Sequence, residues 1–440
     1  MIPINPSSIP TTPPETDPDP QHLETTALRD IQRVIGRLGG PDASPPSAPG
    51  PTVIVVAGQH GNEPSGVHAA HRVLATLRTA IERDPDCIRG EFIALAGNVA
   101  ALRQGVRFIE TDLNRLWTPG AIDETFARTE RRQPLNAEQA EQRELADEIT
   151  DAVLRSRGPA ILLDLHTTSA ASRPFLAVED IVRVRELSRA IPVTAVLGLE
   201  AMIRGILPDW FNTVGHAAMI FEAGQHDDPA SVDRHEAAIW LLLNEVGLID
   251  HATFADRIEQ ARRTLEPFSK GLPRMLEARA RHTVSPGDGF RMRKGFENFH
   301  PIQRSDLLAG DTSGTIRAPM SGWLFMPLYQ PQGEDGFFVV RRASRVFMKL
   351  SKLLRPLRLH RVLHLLPGVA KAEAEIDAFV VNPRIARILA HEIFALLGYR
   401  RYREHAGVGV FGKTAEDMHR AWLALPDEVR RPRRDQPRSS

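Results

Sequence analysis

His60 and Glu63 stand three positions apart on a glycine-bearing turn, GQHGNE, and offer one imidazole nitrogen and one carboxylate oxygen to a single metal ion. H-x-x-E by itself is common, so the turn needs a third ligand. His166 supplies it: it follows the glutamate by 103 positions and stands just past the apolar run AILLDL. Two neighbouring ligands plus one distant ligand leave zinc an open position for water, the arrangement hydrolysis requires. Asp164, inside the same run, suits the carboxylate that takes the other N–H of a ligating imidazole. Each residue also has a plainer reading: His60 as an ordinary turn histidine, His166 as a core histidine, Asp164 as a strand-end cap. The joint pattern favours the site. His68 and His71 fall on the following helix and read as solvated or core residues, whereas His226 is close enough to Glu222 to line a pocket.

These side chains need rigid elements to aim them. Val53 to Val56 is a β-branched run expected of a parallel strand covered on both faces, and Gly58 and Gly61 allow a sharp turn at its carboxyl end, where open α/β sheets place ligands. Val67 to Ile81 reads as a helix and Phe92 to Ala96 as the next strand. Ala137 to Arg155 is an acidic amphipathic helix; 160–165 and 217–221 are further strands, the latter ending in Glu222-Ala223-Gly224, with a helix over 231–246 behind it. Three strand ends thus bring His60 with Glu63, His166, and Glu222 to one edge. The spacing also predicts a short helix over 28–38 that stops at Gly39-Gly40, followed by a linker. Residues 1–20 hold seven prolines and should be disordered.

The expected fold is α/β, with the chain divided at 1–50 (tail, short helix and linker), 51–272 (catalytic domain), 273–343 (a small all-β module) and 344–440 (a helical C-terminal extension in which 383–397 is a helix). Lys plus Arg equals Asp plus Glu at 55 each, which removes a global electrostatic case for nucleic acid or an anionic membrane. One cysteine, Cys87, excludes an intrachain disulfide and a thiolate cluster, so a metal would have N and O ligands, zinc first. The N-terminus lacks signal-peptide features and no apolar run approaches the ~20 residues needed to span a bilayer. A cytoplasmic protein is expected, and a homo-oligomer is compatible with the sequence.

Gly58 to Glu63 (G-x-H-G-N-E) and Asp164 to Thr167 (D-L-H-T) resemble the succinylglutamate desuccinylase/aspartoacylase family of the zinc carboxypeptidase-like fold, over roughly 51–342. The resemblance implies that His60, Glu63 and His166 bind one zinc ion per chain in a mixed sheet flanked by helices. Arg107 to Arg115 (RFIETDLNR) matches a family segment in which Arg107 would polarise the scissile carbonyl and Asn114 and Arg115 would hold the substrate carboxylate. Glu222 would be the catalytic glutamate and Tyr329 a substrate-contacting tyrosine. A further family arginine that selects an acidic side chain is absent: the ungapped position holds Asn212, with Arg204 nearby. The stretch APMSG is similar to biotinyl or lipoyl modules but lacks the carrier lysine, which leaves only a β fold.

The resemblance implies hydrolysis of the amide of a small anionic N-acyl amino acid, with Glu222 moving the proton as zinc-activated hydroxide attacks. The alternatives are a zinc carboxypeptidase acting on short peptides and a non-catalytic metal-containing ligand-binding protein. Intact Glu222 argues against the last, since binding alone needs no general base.

Overall fold

The computed structural model describes residues 28–330, 333–354, 369–371, 378–381, 399–405 and 408–413. The Pro-rich tail at 1–20 and the helix read at 383–397 lie outside them. The main sheet is built from β1 (Val34–Gly39), β2 (Ala48–Ala57), β3 (Arg89–Ala96), β4 (Ala160–Thr168), β5 (Phe175–Val178), β6 (Thr194–Leu197), β7 (Ala217–Gln225) and β8 (Met275–Thr283). A second sheet pairs β9 (Arg291–Met292) with β11 (Leu307–Asp311) and β12 (Gly314–Arg317); β10 (Pro301–Ile302), β13 (Gly322–Phe325) and β14 (Asp335–Arg342) rejoin the main one. The eleven strands of the main sheet run in the order β1-β3-β2-β4-β7-β5-β6-β8-β14-β13-β10.

Its centre is parallel, β3-β2-β4-β7, and the reason is legible in β2. Val53, Val55 and Ala57 turn to one core, with the Ser65–Arg83 and Ala230–Glu245 helices; Ile54 and Val56 turn to the other, with the Ala137–Arg155 helix. Period-two alternation with apolar residues at both parities demands cover on both faces, and the helices provide it. The strands read at 92–96, 160–165 and 217–221 are all present and run longer than read, so that His166 and Glu222 lie inside β4 and β7 rather than beyond them.

Three expectations are corrected. Residues 34–39 are a strand, not the second half of a helix: β1 pairs antiparallel with β3 at the sheet edge. The helical spacing of 28–38 is outweighed by β-branched Val34 and Ile35 and by Gly36, where any Cβ would collide with the Leu74 methyl groups. The 273–343 segment is made of strands, but β8, β14, β13 and β10 extend the main sheet instead of standing apart, because β6 leaves an open edge that β8 takes up in parallel. The C-terminal region is not wholly helical. After the Arg345–Leu354 helix come β15 (Val369–Lys371), β16 (Ala378–Val381), β17 (Tyr399–His405) and β18 (Val408–Lys413), an antiparallel sheet ordered β15-β16-β18-β17. Runs such as AFVV and VGVF satisfy strand chemistry through their β-branched and aromatic residues. No helix among the described residues is long and apolar enough to cross a membrane.

Candidate metal centre and catalytic cleft

The turn after β2 is forced by its glycines. Gly58 has φ of 74°, in the left-handed region, and a side chain on Gly61 would run into the backbone of Ala101 in the Val99–Gln104 helix. The chain therefore reverses tightly and presents His60 and Glu63 over the end of β2. β4 lies beside β2 in parallel register and brings His166 to the same end, directly opposite Glu222 of β7.

His60, Glu63 and His166 converge, buried, with potential ligand atoms all within 4.8 Å of one another. Glu63 sits between the two rings: its Oε1 is 2.8 Å from His60 Nδ1 and its Oε2 is 3.0 Å from His166 Nδ1, while the Thr167 backbone N–H donates to the same Oε2 at 3.0 Å. On the far side of each ring is another carboxylate. His60 Nε2 lies 3.1 Å from Asp112 Oδ1 and His166 Nε2 lies 3.2 Å from Asp164 Oδ2. That is the outer support metal-bound histidines use to fix ring orientation, and it leaves both Nδ1 atoms facing the centre. Asp164 is held in turn by Gln59 Nε2 at 2.5 Å, and Gln59 accepts from Trp117 Nε1 at 3.0 Å.

The electrostatics are those of a cation site. Burial works against ionisation of Glu63, but the charges and hydrogen bonds of His60 and His166 outweigh it and hold its carboxyl well below the usual range. Burial likewise opposes a charge on His166, yet Asp164 and Glu63 raise its pKa well above that of a free imidazole. The pocket thus holds a carboxylate and a proton where a divalent ion would serve both; metal binding would displace that proton. Two nitrogens and one oxygen make a donor set that suits zinc, and His60, Glu63 and His166 would hold it.

Arg107 comes from the irregular stretch before the Leu113–Arg115 turn, which Glu138 organises, and Arg115 from the turn itself. Buried at the first turn of the Ala137–Arg155 helix, Glu138 accepts from the backbone N–H groups of Ile109, Glu110 and Thr111 at 2.7–3.0 Å and from Asn98 Nδ2 at 3.1 Å. Arg107 then reaches Asp112 at 2.9 Å and stands 3.9 Å from Glu63. Burial favours the neutral form of Asp112, but His60, Arg107 and Arg115 together keep its carboxyl far below the usual range. Asn114 does not point its oxygen to the opening: Oδ1 accepts from Leu207 N at 3.3 Å and so ties the 203–207 segment to the turn. Arg115 Nη2 lies 3.3 Å from Asp335 of β14, which Arg281 also holds.

A cleft opens over the centre and is lined by His60, Glu63, Arg107, Asn114, Arg115, His166 and Glu222, with His226, Met326 and Asp335 at its margins. Glu222 Oε2 is buried without a hydrogen-bond partner. Burial pushes its carboxyl up to about 8; Glu63 and Asp164 add to this while His166 and Arg107 oppose it. His226 shares a hydrogen bond of 2.8 Å with Thr167. His68 and His71 lie on the Ser65–Arg83 helix, half-buried and exposed respectively, and neither lines the cleft. Tyr329 does not line it either: its hydroxyl is 2.7 Å from the carbonyl of Arg293 and 3.0 Å from that of Phe296. Asn212 is fully buried, bonding the backbone of Ala218, and Arg204 is exposed outside the cleft.

Residues 49–208 match the family described as the succinylglutamate desuccinylase/aspartoacylase catalytic domain. The match covers that segment alone, little more than a third of the chain. A probable aspartoacylase from Synechococcus sp. (strain CC9605) is 32% identical over 156 residues, which are 33% of this chain and 43% of that protein, so the likeness spans less than half the relative's length. Among solved structures, the succinylglutamate desuccinylase from Chromobacterium violaceum is 18% identical with a TM-score of 0.48, covering 73% of this chain and 98% of that one. The product-bound ectoine utilization protein EutE (DoeB) from Ruegeria pomeroyi is 20% identical with a TM-score of 0.46, covering 67% and 85%. The matched segment carries His60, Glu63, Arg107, Asn114, Arg115 and His166, whereas Glu222 and the rim residues Met326 and Asp335 lie beyond it.

Asp112, Gln59, Glu138 and Asp335 were not read from the sequence as parts of the site. Asp112 had a signal, since it lies between Arg107 and Asn114. The others act across 27 positions or more and carry no local pattern.

Proposed function

We propose that the protein is a zinc-dependent hydrolase of the amide bond in N-acyl amino acids, with one zinc ion per chain. The observation that supports it most is the buried His60, Glu63 and His166 group opening into a cleft shared with Arg107, Arg115 and Glu222. A bound zinc ion would supply Lewis-acid activation of water, held by those three residues. The chain's own groups do the rest. Arg107, oriented by Asp112, donates to the carbonyl oxygen as negative charge develops there. Arg115 grips the substrate carboxylate with its forked guanidinium. Glu222 takes a proton from the attacking water and delivers it to the amide nitrogen as the C–N bond breaks and a C–O bond forms, releasing a carboxylic acid and a free amino acid. A reducing, cytoplasmic setting suits a chain whose single cysteine, Cys87, is buried and unpaired.

The test is elemental analysis of the purified protein together with an assay of N-acyl amino acids against short peptides, with and without chelator. Stoichiometric zinc, chelator-sensitive release of amino acid from the acylated substrates and loss of metal in His60→Ala are expected. Retention of stoichiometric metal at the native site by His60→Ala would remove the metal assignment, and preference for peptides would replace the deacylase with a carboxypeptidase.

A further inference from the structure

One side of the cleft is apolar among the described residues. Phe175, Leu199, Ile203, Ile206, Ile220 and Met326 form a continuous apolar wall, the first five of them buried. It begins beside the proposed proton carrier: Phe175 of β5 is the antiparallel register partner of Glu222, and Ile220 lies two residues before Glu222 on the same face of β7.

The wall also has a defined position relative to the carboxylate clamp. The 203–207 segment is stitched to the Asn114-Arg115 turn at two points, Leu207 N to Asn114 Oδ1 at 3.3 Å and Trp117 N to the Gly205 carbonyl at 3.1 Å. A molecule whose carboxylate is held by Arg115 therefore lies with its neighbouring substituent against Ile203 and Ile206. Among the described residues lining the cleft, the only guanidinium or ammonium groups are those of Arg107 and Arg115, and both already face a carboxylate, Asp112 and Asp335. Glu334 adds negative charge at the rim. A second substrate carboxylate would meet hydrocarbon on one side and like charge on the other.

We propose that the cleft selects N-acyl derivatives of amino acids with an apolar side chain, branched aliphatic or aromatic, and rejects those of aspartate and glutamate. The substrate is then a monoanion: its single carboxylate goes to Arg115 and its side chain to the wall. This rests on the proposed hydrolase reading for the chemistry but on the wall alone for the selection.

The experiment compares kcat/KM of the zinc-loaded protein for N-acetyl-leucine, N-acetyl-phenylalanine, N-acetylglycine, N-acetyl-aspartate and N-acetyl-glutamate. The apolar derivatives should exceed the acidic ones by about 10²-fold, the scale on which an unpaired buried charge is penalised. In Ile206→Ala, the ratio of leucine to glycine substrate should narrow by roughly 10-fold as wall contacts are lost. Preference for the aspartate or glutamate derivative, or an unchanged leucine-to-glycine ratio in the folded variant, would overturn the inference while leaving the hydrolase standing. If no substrate turns over, the hydrolase reading fails and calorimetric binding decides the wall: tighter binding of N-acetyl-leucine than of N-acetyl-aspartate upholds the selection, and equal or weaker binding rejects it.

Discussion

Glu222 and Glu63 are both buried carboxylates at the end of the same sheet, and their surroundings drive them in opposite directions. Glu63 has two imidazoles and a backbone N–H around its oxygens and stays ionised; Glu222 has an unpartnered buried oxygen and a pKa pushed up to about 8. One suits a ligand and the other a proton carrier. Glu222→Gln should keep zinc and substrate binding while kcat falls by ~10²-fold or more, measured by steady-state kinetics alongside metal content. Near-wild-type kcat with full zinc would leave the reaction without a proton carrier. The same substitution has a metal-free signature. A carboxyl whose folded pKa is raised above its unfolded value contributes stability that is fully present below the unfolded pKa, near 4.5, and is lost as pH rises through about 8. Glutamine cannot ionise, so the metal-free Glu222→Gln protein should outlast the metal-free wild type at pH 9, by on the order of 5 kcal/mol, and come within about 1 kcal/mol of it at pH 5. Chemical denaturation at the two pH values reads this directly.

At the scale of elements, what could be read from the chain was whatever a short pattern encodes. The Ala137–Arg155 helix is where its periodicity places it, and its Asn136 to Gln139 capping box sets the start. β2 and β4 are legible because continuous apolar runs end in turn residues. β1 was not legible, since the choice between helix and strand over 28–38 is made by an edge of β3 that lies 50 or more residues away. Glu138 illustrates the same limit inside the site: one buried carboxylate fixes the loop that carries Arg107 and Arg115, yet nothing in EQAEQ announces it. The β2 turn is the element on which the metal centre depends most. Gly61→Ala places a methyl group into the Ala101 backbone, where neither side has a flexible end to yield. It should destabilise the fold by about 1–3 kcal/mol and weaken zinc retention at least tenfold, because the turn can relieve the overlap only by shifting His60 and Glu63. Thermal denaturation with metal titration checks both; wild-type zinc affinity in Gly61→Ala would mean that the turn tolerates displacement.

In the whole molecule, the cleft is assembled from regions far apart in the chain, and the continuity of the main sheet keeps them in register. β4 and β7 supply the centre, β14 is reached only through β5, β6 and β8, and Asp335 at its start closes the circuit back to Arg115. The contact spans 220 positions and has no sequence signature, whereas the residues within 49–208 match a known family. Asp335 is shared between Arg115 and Arg281, and Arg281 also donates to the Met202 carbonyl beneath the apolar wall. It therefore positions the clamp and the wall together without touching the metal centre. Asp335→Asn keeps an acceptor oxygen but removes the charge that draws both guanidinium groups, so Arg115 gains freedom and part of the orienting interaction is lost. KM should rise by roughly 3- to 10-fold with kcat changed less, since the substrate carboxylate must now order Arg115 as it binds. Asp335→Glu, which restores the charge on a longer arm, should recover part of the loss. A fall in kcat equal to the fall in kcat/KM, or an unchanged KM in both variants, would show that Asp335 plays no part in positioning Arg115 and that the extended sheet serves stability alone.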